Sequence, residues 1–356
     1  MKILITGVCG FVGSTVAEEL TRLSLGYQVF GLDNLSRAGS EQNLPRLKKC
    51  GVRFFPGDVR NASDLESLPA VDWVIDAAAN PSVLAGITGQ VSSRQLIEHN
   101  LVGTINVLEY CKRVSSGFVL LSTSRVYSMG VLASAPMDVV DEAYVPRRRE
   151  NNPTGWTERG INEDFSTRPP LSLYGCSKLT SELLAQEYGA AFGLPVYINR
   201  CGVLAGAGQF GKADQGIFTF WIHSYCRKRS LTYIGFGGRG HQVRDCLHPR
   251  DVVPLLHNQM QSSGKHAGEI INVSGGTANA MSLAQLSRWC LHRFGPHSVG
   301  SASVERPFDI PWMVLDSSHA ENLWGWRVVT SLEQILDEIA EHARAHPEWL
   351  DLSNNL

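Results

Sequence analysis

The chain is short of charge and has no cysteine pattern of the kind that holds zinc. Charged residues are 19% of its 356 positions, too few for long self-repelling disordered tracts. Neither sign dominates: 32 Lys and Arg face 34 Asp and Glu, a formal net charge of -2. The basic excess of a nucleic-acid groove or of a protein held on an anionic membrane is missing. Any positive charge for an anionic substrate must therefore be local. Eight cysteines are scattered from Cys9 to Cys290, with no CxxC and no Cys/His cluster. No metal site is expected, and reduced thiols in a cytoplasmic protein are. The apolar start Met1–Thr6 is broken at once by Gly7, so it does not read as a signal peptide. No apolar run approaches the roughly 20 residues of a membrane span. Repeats and low-complexity tracts are absent from the sequence.

What is present is a strand–helix rhythm. Strands are predicted at Lys2–Thr6, Gln28–Leu32, Val52–Phe55, Val71–Ala77, Phe118–Ser122 and Val196–Asn199. Helix-spaced apolar residues separate them, over Ser14–Leu23, Asn100–Val114 and Tyr174–Phe192. This alternation predicts an α/β fold, a doubly wound parallel sheet of the Rossmann kind. After Cys201 the rhythm loosens, with helices predicted over Gly216–Tyr225, Ser282–Phe294 and Ser331–Ala345. The division expected is a dinucleotide-binding domain, 1–201 with 243–273, and a smaller substrate lobe, 202–242 with 274–356. The polar stretch Met129–Gly160, with Pro153, Gly155 and Arg147-Arg148-Arg149, reads as a long loop.

Gly7-x-x-Gly10-x-x-Gly13 follows the first strand and opens a helix. Bare backbone there lets a pyrophosphate approach the free N–H groups of the helix start. Asp33 lies 20 residues after Gly13, at the end of the next strand. A carboxylate in that place accepts from both ribose hydroxyls and repels a 2′-phosphate, which favours NAD over NADP. Arg37 is a reservation, since an arginine can accept that phosphate. Asp58 ends the third strand, where it could contact adenine or cap the segment Ala62–Leu68.

Tyr174 and Lys178 stand at i and i+4, on one helix face. An ammonium near a phenol favours the phenolate and makes tyrosine a usable base. Otherwise the pair is a solvated face with Lys178 in water. Thr123 closes the strand Phe118–Thr123 at the sheet's carboxyl edge, where its hydroxyl can share a substrate proton with Tyr174. Ser122 and Ser124 beside it leave the register open by one.

At these residues the sequence resembles the extended short-chain dehydrogenase/reductases, specifically the NAD-dependent sugar epimerases and dehydratases. The likeness spans essentially the whole chain. It rests on the three glycines, Asp33-Asn34-Leu35-Ser36-Arg37, Asp58-Val59, Ala77-Ala78-Ala79, Asn100 with Gly103-Thr104, Ser122-Thr123 and Tyr174/Lys178. It implies NAD held by Gly7, Gly10, Phe11, Val12, Asp33, Asn34, Ser36 and Arg37. Asp58, Val59, Ala77, Ala78, Ala79, Asn100, Tyr174 and Lys178 would complete that site. It implies catalysis by Thr123, Tyr174 and Lys178 on a nucleotide-activated sugar. It also implies a homodimer built on the helices near 100–114 and 174–192.

Within that family the likeness is greatest to the CDP-paratose (CDP-tyvelose) 2-epimerases. Gln209-Phe210-Gly211, Asp214-Gln215-Gly216, Gln242-Val243-Arg244-Asp245 and Arg306-Pro-x-Asp309 carry it. Sugar-nucleotide contacts are then expected from Thr123, Ser124, Arg125, Asn199, Gln209, Gln215, Gly216, Arg244, Arg306 and Asp309. Arg244 and Arg306 resemble residues that grip a pyrophosphate, and arginine pairs bidentately with phosphate oxygens. The alternative is an ion pair, for instance Arg244 with Asp251. Departures cluster around the sugar: Asp76 for a usual His, Ser124-Arg125 for Asn-Lys, Ser128 for Gly, and Leu204–Gly208. The expected activity is epimerisation through a transient ketosugar. The alternatives are a UDP-sugar 4-epimerase, or a dehydratase or oxidoreductase of the same fold. The dehydratases carry Asp-Glu where this chain has Ser124 and Arg125.

Overall fold

The computed structural model describes residues 1–23, 25–87, 92–147 and 152–352. Seven strands form one sheet: β1 (Lys2–Thr6), β2 (Gln28–Asp33), β3 (Arg53–Pro56), β4 (Trp73–Asp76), β5 (Gly117–Thr123), β6 (Val196–Cys201) and β7 (Ile270–Val273). Their order is β7-β6-β5-β4-β1-β2-β3, and every neighbour pair is parallel. The chain builds outward from β1 to β3, then crosses to β4 on the other side. The strand order therefore reverses between β1 and β4, which opens a crevice at the carboxyl ends.

Alternation along each strand feeds two cores. Ile3, Ile5, Val119 and Leu121 pack on one face with Val16, Ala17 and Leu20 of helix α1 (Phe11–Arg22). Leu4, Val74, Phe118 and Leu120 face the other way, against Val107, Leu108 and Cys111 of α2 (Gly103–Val114) and Ala185 of α3 (Leu173–Phe192). Burial on both faces explains why these strands read as unbroken apolar runs. Ser172 caps α3, its hydroxyl accepting the Gly175 N–H at 3.0 Å, and Gly193 ends it with φ +67. A π-helical turn, Glu98–Val102, leads into α2 and carries Asn100.

The expected domain boundaries need correcting. Val243–Leu247, expected with the main sheet, pairs instead with Val203–Leu204, Ala280–Ser282 and Trp312–Met313 in a second, four-stranded sheet. Ala320 and Trp326, expected in the lobe, pack beneath the main sheet. The lobe's own core joins helices Ile217–Cys226, Leu283–Phe294 and Leu332–Ala345 through Trp221, Tyr225, Leu286, Ile335 and Ile339.

The stretch 129–160 is not one long loop. It holds a short helix, Met129–Ala133, and a hairpin pairing Met137–Val140 with Ala143–Pro146. Trp156–Thr157 pairs in turn with Gly160–Ile161. Met129, Leu132 and Ala143 share a core with Trp312, Val314 and Leu315, contacts far away in sequence. Arg147 pairs with Asp138 at 2.6 Å; Arg148 and Arg149 lie outside the described residues. All eight cysteines are free thiols. No helix among the described residues is long and apolar enough to cross a membrane.

Candidate active site

One cleft runs along the carboxyl edge of the sheet and under the lobe. The turn from β1 to α1 forms one end. Gly7 has φ +64, and a Cβ there would lie 2.8 Å from the Ala78 Cα. A Cβ on Gly13 would lie 2.2 Å from the Gly7 carbonyl oxygen, so only glycine permits this packing. No side chain caps α1 at Gly10, which leaves the first N–H groups to a ligand. Gly7, Gly10, Phe11 and Val12 line the cleft there.

Asp33 ends β2 in the same wall. Its carboxylate accepts the N–H groups of Cys9 at 2.9 Å and Leu35 at 2.8 Å. Burial pushes its pKa up, and those hydrogen bonds oppose the rise. Asn34, Ser36, Val59, Ala77, Ala78 and Ala79 also line this end. Arg37 lines it too, but its donors are committed across the cleft. Nη1 bonds the Gln215 side chain at 2.8 Å and Nη2 the Phe210 carbonyl at 2.5 Å. It ties the turn after β2 to the lobe.

Three residues expected to touch the cofactor do not line the cleft: Asp58, Asn100 and Lys178. Arg60 and Asn34 hold the Asp58 carboxylate at 2.6 and 2.9 Å. Burial pushes Asp58 up, yet those hydrogen bonds prevail and keep it well below the usual carboxylate range. Nor does it cap the next helix, whose N-cap is Asn61. Asn100 sits behind the wall. Its amide bonds the Asn80 N–H at 2.7 Å, the Asn80 carbonyl at 3.0 Å and the Ser177 hydroxyl at 3.2 Å. It braces the loop after β4 against α3.

Thr123 and Tyr174 meet in the middle of the cleft. Burial raises the Tyr174 phenol, while a hydrogen bond to Thr123 pulls the other way. Cys201 raises it further and Arg125 lowers it. Lys178 is not among the groups that shift Tyr174. Lys178 is 2% exposed, so it does not point into water. Among the described residues it has no hydrogen-bond or salt-bridge partner. Burial lowers its pKa, and the carboxylates of Asp76 and Glu182 oppose that. Asp76 is itself held by Thr6 at 2.5 Å and Thr104 at 3.2 Å.

The far half of the cleft is lined by Ser124, Arg125, Gln209, Gln215, Gly216, Arg244, Arg306 and Asp309. Arg244 pairs with Asp309 at 2.9 Å, not with Asp251. Asp251 instead takes the N–H groups of Val329 and Thr330 at 3.0 and 2.8 Å. Arg306 bonds the Ala213 carbonyl at 3.4 Å, and Arg125 the Phe308 carbonyl at 3.2 Å. Gln209 spends its amide on the Leu204 carbonyl and the Thr219 hydroxyl, at 2.7 and 3.0 Å. Asn199 is a correction. It is fully buried in a reciprocal amide pair with Gln259, at 2.8 and 3.0 Å, away from the cleft. It lies two residues inside the end of β6, too deep to reach a ligand at the edge.

A buried network beneath the cleft goes beyond what the sequence reading singled out. Glu182 takes the Arg200 guanidinium at 2.7, 3.1 and 3.1 Å and also accepts from the Ser122 hydroxyl. Arg200 bonds the Tyr127 hydroxyl at 3.2 Å, which donates to Asn272 at 2.7 Å. The spacing carries a signal for it: Tyr174, Lys178 and Glu182 stand at i, i+4 and i+8 on one helix face.

Uncapped amides at a glycine-cleared helix start, a ribose-height carboxylate and a buried unpaired ammonium fit a dinucleotide. Known proteins of similar sequence point the same way. Residues 3–274 match the NAD dependent epimerase/dehydratase family, and the chain belongs to that family, with NAD as its cofactor. CDP-paratose 2-epimerase of Salmonella typhi is 31% identical over 296 residues, 80% of this chain and 82% of that protein. UDP-glucuronate 4-epimerase of Thermodesulfobacterium geofontis is 27% identical over 98% of this chain and 97% of its own. The solved UDP-glucose 4-epimerase of Thermus thermophilus, a complex with NAD, superposes with a TM-score of 0.75. It is 25% identical and covers 97% of this chain and 99% of that one.

Proposed function

We propose that the chain epimerises a nucleotide-activated sugar through a transient ketosugar, most like CDP-paratose 2-epimerase. The observation that carries this is the turn after β5: Thr123 meets Tyr174 in the cleft, and the residues that follow Thr123 there are Ser124 and Arg125. Eliminating water from a ketosugar needs a further acid and base beside the tyrosine. Ser124 and Arg125 supply neither, so the site suits reversible oxidation.

NAD, when bound, would supply a reversible hydride acceptor for the sugar carbon. Gly7, Gly10, Phe11, Val12, Asp33, Asn34, Ser36, Val59 and Ala77–Ala79 would hold it, with Lys178 on the nicotinamide ribose. Tyr174 takes the proton of the sugar hydroxyl and later gives it back. Thr123 orients that hydroxyl. Arg244 and Arg306 grip the pyrophosphate, while Ser124, Arg125, Gln215, Gly216 and Asp309 shape the sugar end. The lined cleft between β5, α3 and the lobe supports this assignment. A homodimer fits the apolar surface on and beside α2 and α3, where Val102, Leu173, Leu183 and Phe192 are exposed.

The test is an NMR screen of CDP-, UDP-, GDP- and dTDP-sugars with NAD-loaded protein. An epimer should form without deuterium entering from solvent at the inverted carbon. Tyr174→Phe should lose at least about 100-fold in kcat. Solvent deuterium at that carbon, loss of water from the sugar, or full activity of Tyr174→Phe would overturn the proposal.

A further inference from the structure

We propose that the tight hairpin Lys212–Gln215 is a lid over the cofactor, and that Arg37 and Ser82 are the latches that hold it down. The topology comes first. β2 and β4 flank β1 in the sheet, so the turn after β2 and the loop after β4 stand on either side of the glycine turn that follows β1. The lobe's segment Phe210–Gln215 is bonded to both. Past β2, Arg37 donates from Nη1 to the Gln215 side chain at 2.8 Å and from Nη2 to the Phe210 carbonyl at 2.5 Å. Past β4, the Ser82 hydroxyl donates to the Asp214 carboxylate at 2.8 Å. A segment tied to both sides spans the crevice above Gly7 and Gly10, and all of these residues line the same cleft.

The root of the segment is held by packing. The buried Phe210 ring stacks on Trp349 at 5.2 Å, and a Cβ on Gly39 would lie 2.9 Å from that ring. The Trp349 indole N–H fixes the Gln209 carbonyl at 2.9 Å. The tip closes on itself: the Lys212 and Gln215 N–H groups each donate to the other's carbonyl, at 2.7 and 3.0 Å. It is bound to its surroundings by polar side-chain contacts, from Arg37, from Ser82, and from Arg306 on the Ala213 carbonyl at 3.4 Å. Such bonds trade for bonds to water at small net cost, whereas exposing a buried aromatic ring has no such compensation. The tip can therefore open about a fixed root.

A dinucleotide whose pyrophosphate meets the uncapped start of α1 lies beneath this hairpin. While the Arg37 and Ser82 bonds hold, the cofactor is enclosed; opening requires them to break. Arg37 thus acts on the cofactor through the lid and not by touching it. This gives a task to an arginine that follows Asp33 and Asn34 in sequence but spends its donors on the lobe, and to Asp214 and Gln215 opposite.

The experiment mixes NADH-loaded protein with excess NAD and follows the loss of bound-NADH fluorescence. A second mixing, of NADH with cofactor-free protein, gives the rate of uptake. Arg37→Met should quicken release about tenfold, as expected for losing a charge-assisted hydrogen bond. Gln215→Leu should also quicken it, and the double variant should be no faster than Arg37→Met, because both remove the same contact. Ser82→Ala should multiply the effect of either. Uptake should quicken too, since an unlatched lid admits the cofactor as well as releasing it. An unmoved release rate in Gln215→Leu, or faster release with unchanged uptake in Arg37→Met, would mean that Arg37 holds the cofactor directly and overturns the proposal. If Arg37→Met fails to fold, Gln215→Leu with Ser82→Ala carries the test, their effects multiplying. No sugar is used. A protein inactive on every nucleotide sugar would sink the epimerase reading while leaving the release rates to decide this one.

Discussion

Removing the Glu182 carboxylate tests how the site is supported from below. The Glu182 and Arg200 side chains are 1% and 5% exposed. In Glu182→Ala the guanidinium stays buried with the Tyr127 hydroxyl, at 3.2 Å, as its remaining oxygen partner. Leaving one member of a buried pair uncompensated costs about 3–5 kcal/mol. Ser122 loses its acceptor as well, for about 1 kcal/mol more. The sum is a large share of the roughly 5–15 kcal/mol by which folded proteins exceed unfolded ones. Urea unfolding followed by tryptophan fluorescence measures it. Glu182→Ala should lower the midpoint sharply. Glu182→Leu with Arg200→Met should recover most of the loss, because the desolvation penalty leaves with the two charges. Asp138→Ala is the control. It breaks an ion pair whose side chains are 51% and 59% exposed, and the midpoint should not move. If Glu182→Ala behaved like Asp138→Ala, the reasoning about the buried pair would be wrong.

Three further outcomes follow from particular contacts. Trp349→Ala removes the indole N–H on the Gln209 carbonyl at 2.9 Å and the stack on Phe210; the sugar-nucleotide KM should rise up to about tenfold, with NAD affinity kept. Asn199→Ala should cost about 1–3 kcal/mol in stability by orphaning Gln259, and steady-state kinetics should show KM unchanged. His223 and His248 are pushed down to about 3, His223 by burial with His342 and Arg227, His248 by burial with Arg250. Neutral when native but protonated when unfolded, each removes up to roughly 1.4 kcal/mol per pH unit as pH falls below 6.5 toward 3; denaturant midpoints across pH should show the slope, and His223→Phe should flatten it.

The sheet and its cleft are legible in the sequence because they depend on local pattern. Buried strands read as apolar runs, and the Gly7, Gly10 and Gly13 positions are ones where a side chain would collide. Residues that act through distant partners are not legible in this way. Asn199 has the chemistry of a ligand contact, but period-two alternation turns it with Tyr197 and Cys201 toward the helix Val253–Gln261. Asn100 matches a motif, yet the π-helical turn aims it at Asn80. The 129–160 stretch reads as a loop because its core partners lie about 170 residues on. Lys178 is singled out by its spacing from Tyr174, but its complete burial, within reach of the charges of Asp76 and Glu182, is legible only in the packing.

That burial fits a wider division of charge in the molecule. Beneath the cleft, buried carboxylates are answered from within. Glu182 has Arg200, Asp76 has two threonine hydroxyls, and Asp245 takes the N–H groups of Leu315 at 2.9 Å and Val203 at 3.2 Å. At the cleft the cations are left short. Among the described residues Lys178 holds nothing, while Arg125 and Arg306 each hold a single carbonyl. A buried charge without a partner is unfavourable, so the buried Lys178 ammonium is intelligible if a ligand's oxygens complete it. The buried Glu182–Arg200 pair joins α3 to β6 and answers from within one of the two carboxylates whose charge acts on Lys178.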